Sequence, residues 1–109
     1  MNRRLEVRFP VFNYAMRVIF ARDVERTGAK LGADLTGCAA AWVTRDDKPG
    51  AGWLVLPERP DEDTVAHEAS HAVRSMLDFV GAGDDDEVFA YHLGHLVGRI
   101  HKTLKREGK

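Results

Sequence analysis

The segment His67-Glu68-Ala69-Ser70-His71 sets two imidazoles four residues apart, with a carboxylate beside the first. On a helix, residues four apart lie about 40° apart around the axis and one turn apart along it. Both rings can then hold one metal ion from the same side, and imidazole donors in this pattern suit zinc. Glu68 leans over the open side of such an ion, where it can take a proton from an attacking water. The chemistry indicated is metal-assisted hydrolysis with His67 and His71 as ligands and Glu68 as general base.

A catalytic zinc keeps three protein ligands and one open position. The third ligand must come from beyond the motif, and Asp84, Asp85, Asp86, Glu87, His92 and His95 are the candidates. Glu87 is the preferred one, because Val88, Ala90 and Tyr91 beside it indicate a helix start that packs inward. A glutamate there also suits a helix N-terminus for purely electrostatic reasons. Tyr91 follows Glu87 by four residues and His95 follows Tyr91 by four, so the three can share one helix face. From that face Tyr91 or His95 can donate a hydrogen bond to an oxyanion. With His95 as a fourth ligand, the site would instead be closed and structural. His92 and His101 fall off this face and are read as solvated. Asp78 shares a face with His71 but lies two turns away, about 10 Å, beyond direct contact.

Two helices must carry these residues. Asp61 or Asp63 caps a helix from about Glu62 to Val80, with an apolar stripe of Val65, Ala69, Ala72, Val73, Met76, Leu77 and Val80. Gly81 and Gly83 end it. Asp84, Asp85 and Asp86 supply caps and first-turn acids for a last helix, about Asp85 to Lys105, whose basic end suits its dipole. Upstream, Leu5 to Phe9 alternates as a strand with one buried face. Pro10 and Asn13 mark a turn, and Tyr14 to Ala21 reads as a second strand, with a helix as the alternative because Ile19 blurs the period. Asp23 caps a short helix from Val24 to Leu31, stopped by Gly32. Cys38 to Thr44 and Trp53 to Leu56 form a second hairpin around the turn Arg45 to Gly50, closed by Pro57 and Pro60. The expected class is α+β: two hairpins with a short helix between them, then two packed helices bearing the metal site, in one domain.

Composition narrows the function further. The 109 residues carry 16 Lys plus Arg against 17 Asp plus Glu, a net charge of −1, which argues against a general nucleic-acid binder. The single cysteine, Cys38, forms no internal disulfide and fits a reducing compartment. Arg8, Asn13 and Arg17 interrupt any apolar run of signal-peptide length, and no stretch reaches membrane-spanning length. The expectation is a cytoplasmic domain with no membrane partner.

With the motif followed by Glu87-Val88-Phe89-Ala90-Tyr91, the chain resembles the minigluzincins, compact zinc peptidases with a sheet followed by two site-bearing helices. It is also similar to small H-E-x-x-H proteins encoded by tailed bacteriophages and prophages. The likeness covers most of the chain and is strongest from His67 to Tyr91. It implies a zinc metallopeptidase with His67, His71 and Glu87 as ligands, Glu68 as base, and a protein or peptide substrate, with a larger phage assembly or regulatory protein as partner. It further implies that the strand before the first site helix, through Gly52, Trp53, Leu54 and Val55, pairs with an extended substrate at a sheet edge. Tyr91 stands where the gluzincin pattern has an acid or asparagine near the third ligand. The competing function is a zinc-stabilised structural or interaction domain, since a structural metal contributes folding free energy to a small chain.

Overall fold

The computed structural model describes residues 2–44 and 51–107. The turn expected from Arg45 to Gly50 lies outside the described residues. The first strand, β1 (Arg3–Phe9), buries Val7 and Phe9 and exposes Arg4, Glu6 and Arg8. A single 3-10 turn, Pro10–Phe12, ends at Asn13 with φ 50°, a left-handed conformation that asparagine tolerates. The chain then returns antiparallel as β2 (Tyr14–Ala21). Asp23 caps α1 (Val24–Lys30) by accepting the Arg26 N–H. The second hairpin pairs β3 (Ala41–Thr44) with β4 (Gly52–Pro57). The strand expected to start at Cys38 starts at Ala41, because the Cys38 N–H is used in a turn to the Leu35 carbonyl.

The two hairpins join through a parallel pairing of β2 with β4, giving a four-stranded mixed sheet of order β1-β2-β4-β3. The class is therefore α+β, as expected. The parallel junction explains the blurred period of β2. On one face Met16, Val18 and Phe20 enter the main core with Leu54 and Leu56. On the other, Ile19 and Ala21 join Val43, Val55 and Leu35 in a second cluster, against which Val24 and Leu31 pack. An internal strand buried on both faces loses its alternation.

The main face of the sheet carries α2 (Glu62–Val80) and α3 (Asp86–Glu107). Asp61 caps α2 by accepting the Thr64 N–H, and Gly81, at φ 80°, closes it in the left-handed conformation that glycine allows. Val65, Ala69, Ala72, Val73, Met76 and Leu77 are buried as the stripe required. Fully burying each of the larger ones contributes about 1.5–3 kcal/mol, so packing holds this helix more than intrinsic propensity does. In α3 the buried series is His92, Leu96 and Ile100. No helix among the described residues is long and apolar enough to cross a membrane.

Candidate metal centre

Packing orients α2 so that His67 and His71 stand on the side away from the core. Both are exposed, His67 with 68% of its side chain accessible. Their rings meet edge to face, with centroids 4.8 Å apart and planes at 82°. The two Nε2 atoms are 3.3 Å apart. The contact is a hydrogen bond when one ring carries its proton on Nε2 and the other accepts there. Two nitrogens at about 2.0–2.1 Å from one tetrahedral zinc would sit about 3.3–3.4 Å apart, so the donor pair fits a zinc ion. Beside it, Glu68 is largely covered, 17% of its side chain accessible, and its Oε2 lies 3.9 Å from His67 Nε2.

Two side chains near the pair are engaged elsewhere. Ser70 Oγ donates back to the Ala66 carbonyl at 2.8 Å. Arg74, the long cation one turn beyond His71, folds over the Phe89 ring at 4.1 Å and donates to the Gly83 carbonyl. It ties α2 to α3 and does not crowd the imidazoles.

The residues expected to complete the site are not gathered with the pair. No set of three or more His, Cys, Asp or Glu side chains among the described residues stands close enough to hold a metal ion. Glu87 is exposed in the first turn of α3, where its N–H and that of Val88 are both accepted by Asp85 Oδ1. Tyr91 is 70% exposed and packs edge-on against His92. His95 turns to β1: its Nε2 pairs with the Arg8 carbonyl at 2.9 Å and its ring meets Phe9 edge-on.

Two expectations need correction. His92 is not solvated but 5% exposed, with its ring beside Phe9 and Phe12 and its Nδ1 2.7 Å from the Val88 carbonyl. Its place was visible in the four-residue series Val88, His92, Leu96, Ile100, which marks one helix face. The strand holding Gly52, Trp53, Leu54 and Val55 is not a sheet edge. β4 is hydrogen-bonded to β2 on one side and β3 on the other, and Leu54 and Val55 are fully buried. The sheet ends at β1 and β3, and β3 is the edge strand that also contacts α2. It presents Trp42, whose buried indole Nε1 has no hydrogen-bond partner among the described residues. Nothing in the local sequence announced that orphaned donor.

No protein-family model matches the chain, nor does any curated protein or solved structure. The arrangement at hand is two imidazoles in contact through their Nε2 atoms, with one shielded carboxylate alongside.

Proposed function

We propose that this chain is a zinc-dependent metallopeptidase that hydrolyses peptide bonds in extended protein segments. The observation that carries the reading is the 3.3 Å separation of the two Nε2 atoms, with the Glu68 carboxylate 3.9 Å from the nearer one. His67 and His71 would hold the ion, and Glu87 is the third ligand that the resemblance implies. A bound zinc supplies Lewis acidity at neutral pH. Glu68 takes a proton at its carboxylate and returns it to the leaving amine, and its partial burial keeps that carboxylate at the motif rather than free in water. Tyr91 and His95 remain the residues proposed as oxyanion donors, His95 after releasing the Arg8 carbonyl.

Substrate recognition moves, in this proposal, from β4 to the β3 edge beside α2. An extended segment can add there by main-chain hydrogen bonds. What weighs against a purely structural zinc is Glu68, a carboxylate beside the ligand pair that a structural site does not need. The setting proposed is the cytoplasm of a phage host, with a protein as substrate.

The test is metal content by mass spectrometry together with cleavage of an unfolded protein, for wild type, Glu68→Gln and Glu87→Ala. About one zinc per chain in wild type and Glu68→Gln, with cleavage lost in Glu68→Gln, is the expected result. Loss of zinc in Glu87→Ala assigns the third ligand. Equal cleavage by wild type and Glu68→Gln would defeat the proposal.

A further inference from the structure

The helices α2 and α3 cover one face of the sheet, and the opposite face is covered only in part. There Val24, Leu31 and Leu35, from α1 and the segment after it, close over Ile19, Ala21, Val43 and Val55. Towards the β1 edge that cover ends, and Arg4, Glu6, Arg8, Ala15 and Arg17 are exposed. Trp53 stands at the border, half-buried against the covered cluster. The strand register sets Glu6, Arg17 and Trp53 in one row across β1, β2 and β4, with Arg4 beside Ile19 in the next row. Together with Leu5 these residues line a depression of about 290 Å³. That is the lower end of the range for ligand pockets, roughly 300–1,000 Å³. Its charges are not balanced from within. Glu6 Oε2 is paired with Arg8 at 3.1 Å, while Arg4 and Arg17 enter no ion pair among the described residues. Arg4 and Arg17 are diagonal neighbours on adjacent strands, with Cβ atoms about 7–8 Å apart. Two side chains of that length can close on one anionic group.

We propose that this depression binds a nucleoside monophosphate, with the phosphate on Arg4 and Arg17 and the base against Trp53. Each part of such a ligand has a counterpart in the lining. Two guanidinium groups, each a planar fork of donors, match the oxygens and the charge of a phosphate. The Trp53 indole and the apolar Ile19 beside it suit the flat face of a base. With its Oε2 on Arg8, Glu6 keeps Oε1 to accept from a sugar hydroxyl. A bare inorganic anion would use the two arginines and leave the ring and the acceptor idle. A polynucleotide needs a longer basic track than two residues on a chain of net charge −1. The depression lies on the sheet face opposite the one that packs against α2. Its occupant is therefore separate from the substrate of the proposed hydrolysis, and the proposal does not depend on zinc.

The experiment titrates adenosine monophosphate into the full chain, followed by calorimetry and by tryptophan fluorescence. The chain has two tryptophans, Trp42 and Trp53, so Trp42→Phe leaves Trp53 as the only indole emitter. One saturable site per chain is expected, with quenching of Trp53 that saturates at the same concentration. Arg4→Ser and Arg17→Ser should each weaken binding about tenfold or more, the loss of a charge-assisted hydrogen bond. Both arginines are exposed, so their thermal melts should match the wild type. Adenosine, which lacks the phosphate, and inorganic phosphate, which lacks the ring, should each bind at least tenfold more weakly than the nucleotide. No binding of the nucleotide, or equal affinity in Arg17→Ser, would overturn the proposal. Inorganic phosphate binding as tightly as the nucleotide would overturn it by reducing the site to one for simple anions. A ten-residue single-stranded DNA binding far more tightly, with the same dependence on Arg4 and Arg17, would overturn it in favour of a nucleic-acid strand.

Discussion

On the zinc reading proposed above, replacing His71 by alanine would separate metal binding from folding, and its consequences can be worked out in advance. Structural zinc sites with four ligands bind with about 10–16 kcal/mol at neutral pH. Divided evenly, that is about 2.5–4 kcal/mol per ligand, or roughly a hundred- to a thousandfold in affinity. The fold should not suffer, because His71 is exposed, stands off the buried stripe, and gives way to a better helix former. With zinc held at about a hundred times the wild-type dissociation constant, binding stabilises the wild type by about 2.7 kcal/mol. For a chain of this length the entropy of unfolding, about 2.1 cal/mol/K per residue, turns that into a rise in Tm of about 10–12 °C. At the same zinc concentration, a hundredfold weaker site gains only about 0.4 kcal/mol, a rise of about 2 °C. Thermal melts followed by circular dichroism, with and without zinc, measure both numbers. The metal-free Tm should match the wild type or exceed it slightly. A variant that kept the full zinc-induced rise would refute His71 as a ligand. A metal-free Tm several degrees lower would refute the placement of His71 outside the packed structure.

Three further outcomes test the fold around the site. In Gly52→Ala the new Cβ would lie 2.6 Å from the Val43 carbonyl oxygen and 2.6 Å from the Trp42 ring. Backbone cannot yield as a side chain can, so urea unfolding should show a loss of about 1–3 kcal/mol, and unchanged stability would mean that β3 is not held against β4 as described. His92→Ala should cost about 2–4 kcal/mol by emptying space beside Phe9 and Phe12, whereas His95→Ala, which loses one hydrogen bond to Arg8, should cost about 0.5–1.5 kcal/mol. The reverse order would restore the solvated reading of His92. Asp61 has its carboxyl pKa lowered by the backbone hydrogen bond from Thr64 and then by the Thr64 side chain. A carboxyl depressed in the folded state stabilises above its unfolded value, near 3.8, and that contribution is lost as pH falls through the lower folded value. Asp61→Asn keeps a capping oxygen without a titrating group. Its stability should therefore fall less steeply than the wild type's below about pH 4, and superimposable acid limbs would rule the linkage out.

The hairpins and the site helix were legible because their signals are local. Alternation along Leu5 to Phe9, the turn at Pro10 to Asn13, the Asp61 cap, the apolar stripe and Gly81 each act within a few residues. The parallel pairing of β2 with β4 joins strands separated by α1 and β3, and no single segment encodes it. A trace of it was present all the same. The unbroken apolar run Trp53 to Leu56 and the intrusion of Ile19 into β2 are what strands buried on both faces show. Weighed as a sign of burial, that run alone excludes β4 as an edge. Whether a third ligand joins the pair was not legible for a different reason. Whether Glu87 meets His67 and His71 depends on how α3 is rotated and shifted against α2, which side chains such as Arg74 and Phe89 fix across the interface.

A site residue can be told from a packing residue by what folding alone requires of its position. His92 falls in register with Val88, Leu96 and Ile100, so burial already accounts for it, and its ring serves the core. His67 and His71 fall in the gap of the α2 stripe, where packing asks only for something soluble. Any polar residue would meet that demand, and most would do so with a better helix propensity than histidine. Two histidines one turn apart, their nitrogens at a separation two zinc ligands would adopt and a glutamate shielded beside them, are over-specified for a solvated surface. The excess of specification over what folding requires is the strongest physical reason to look for chemistry on this face of α2.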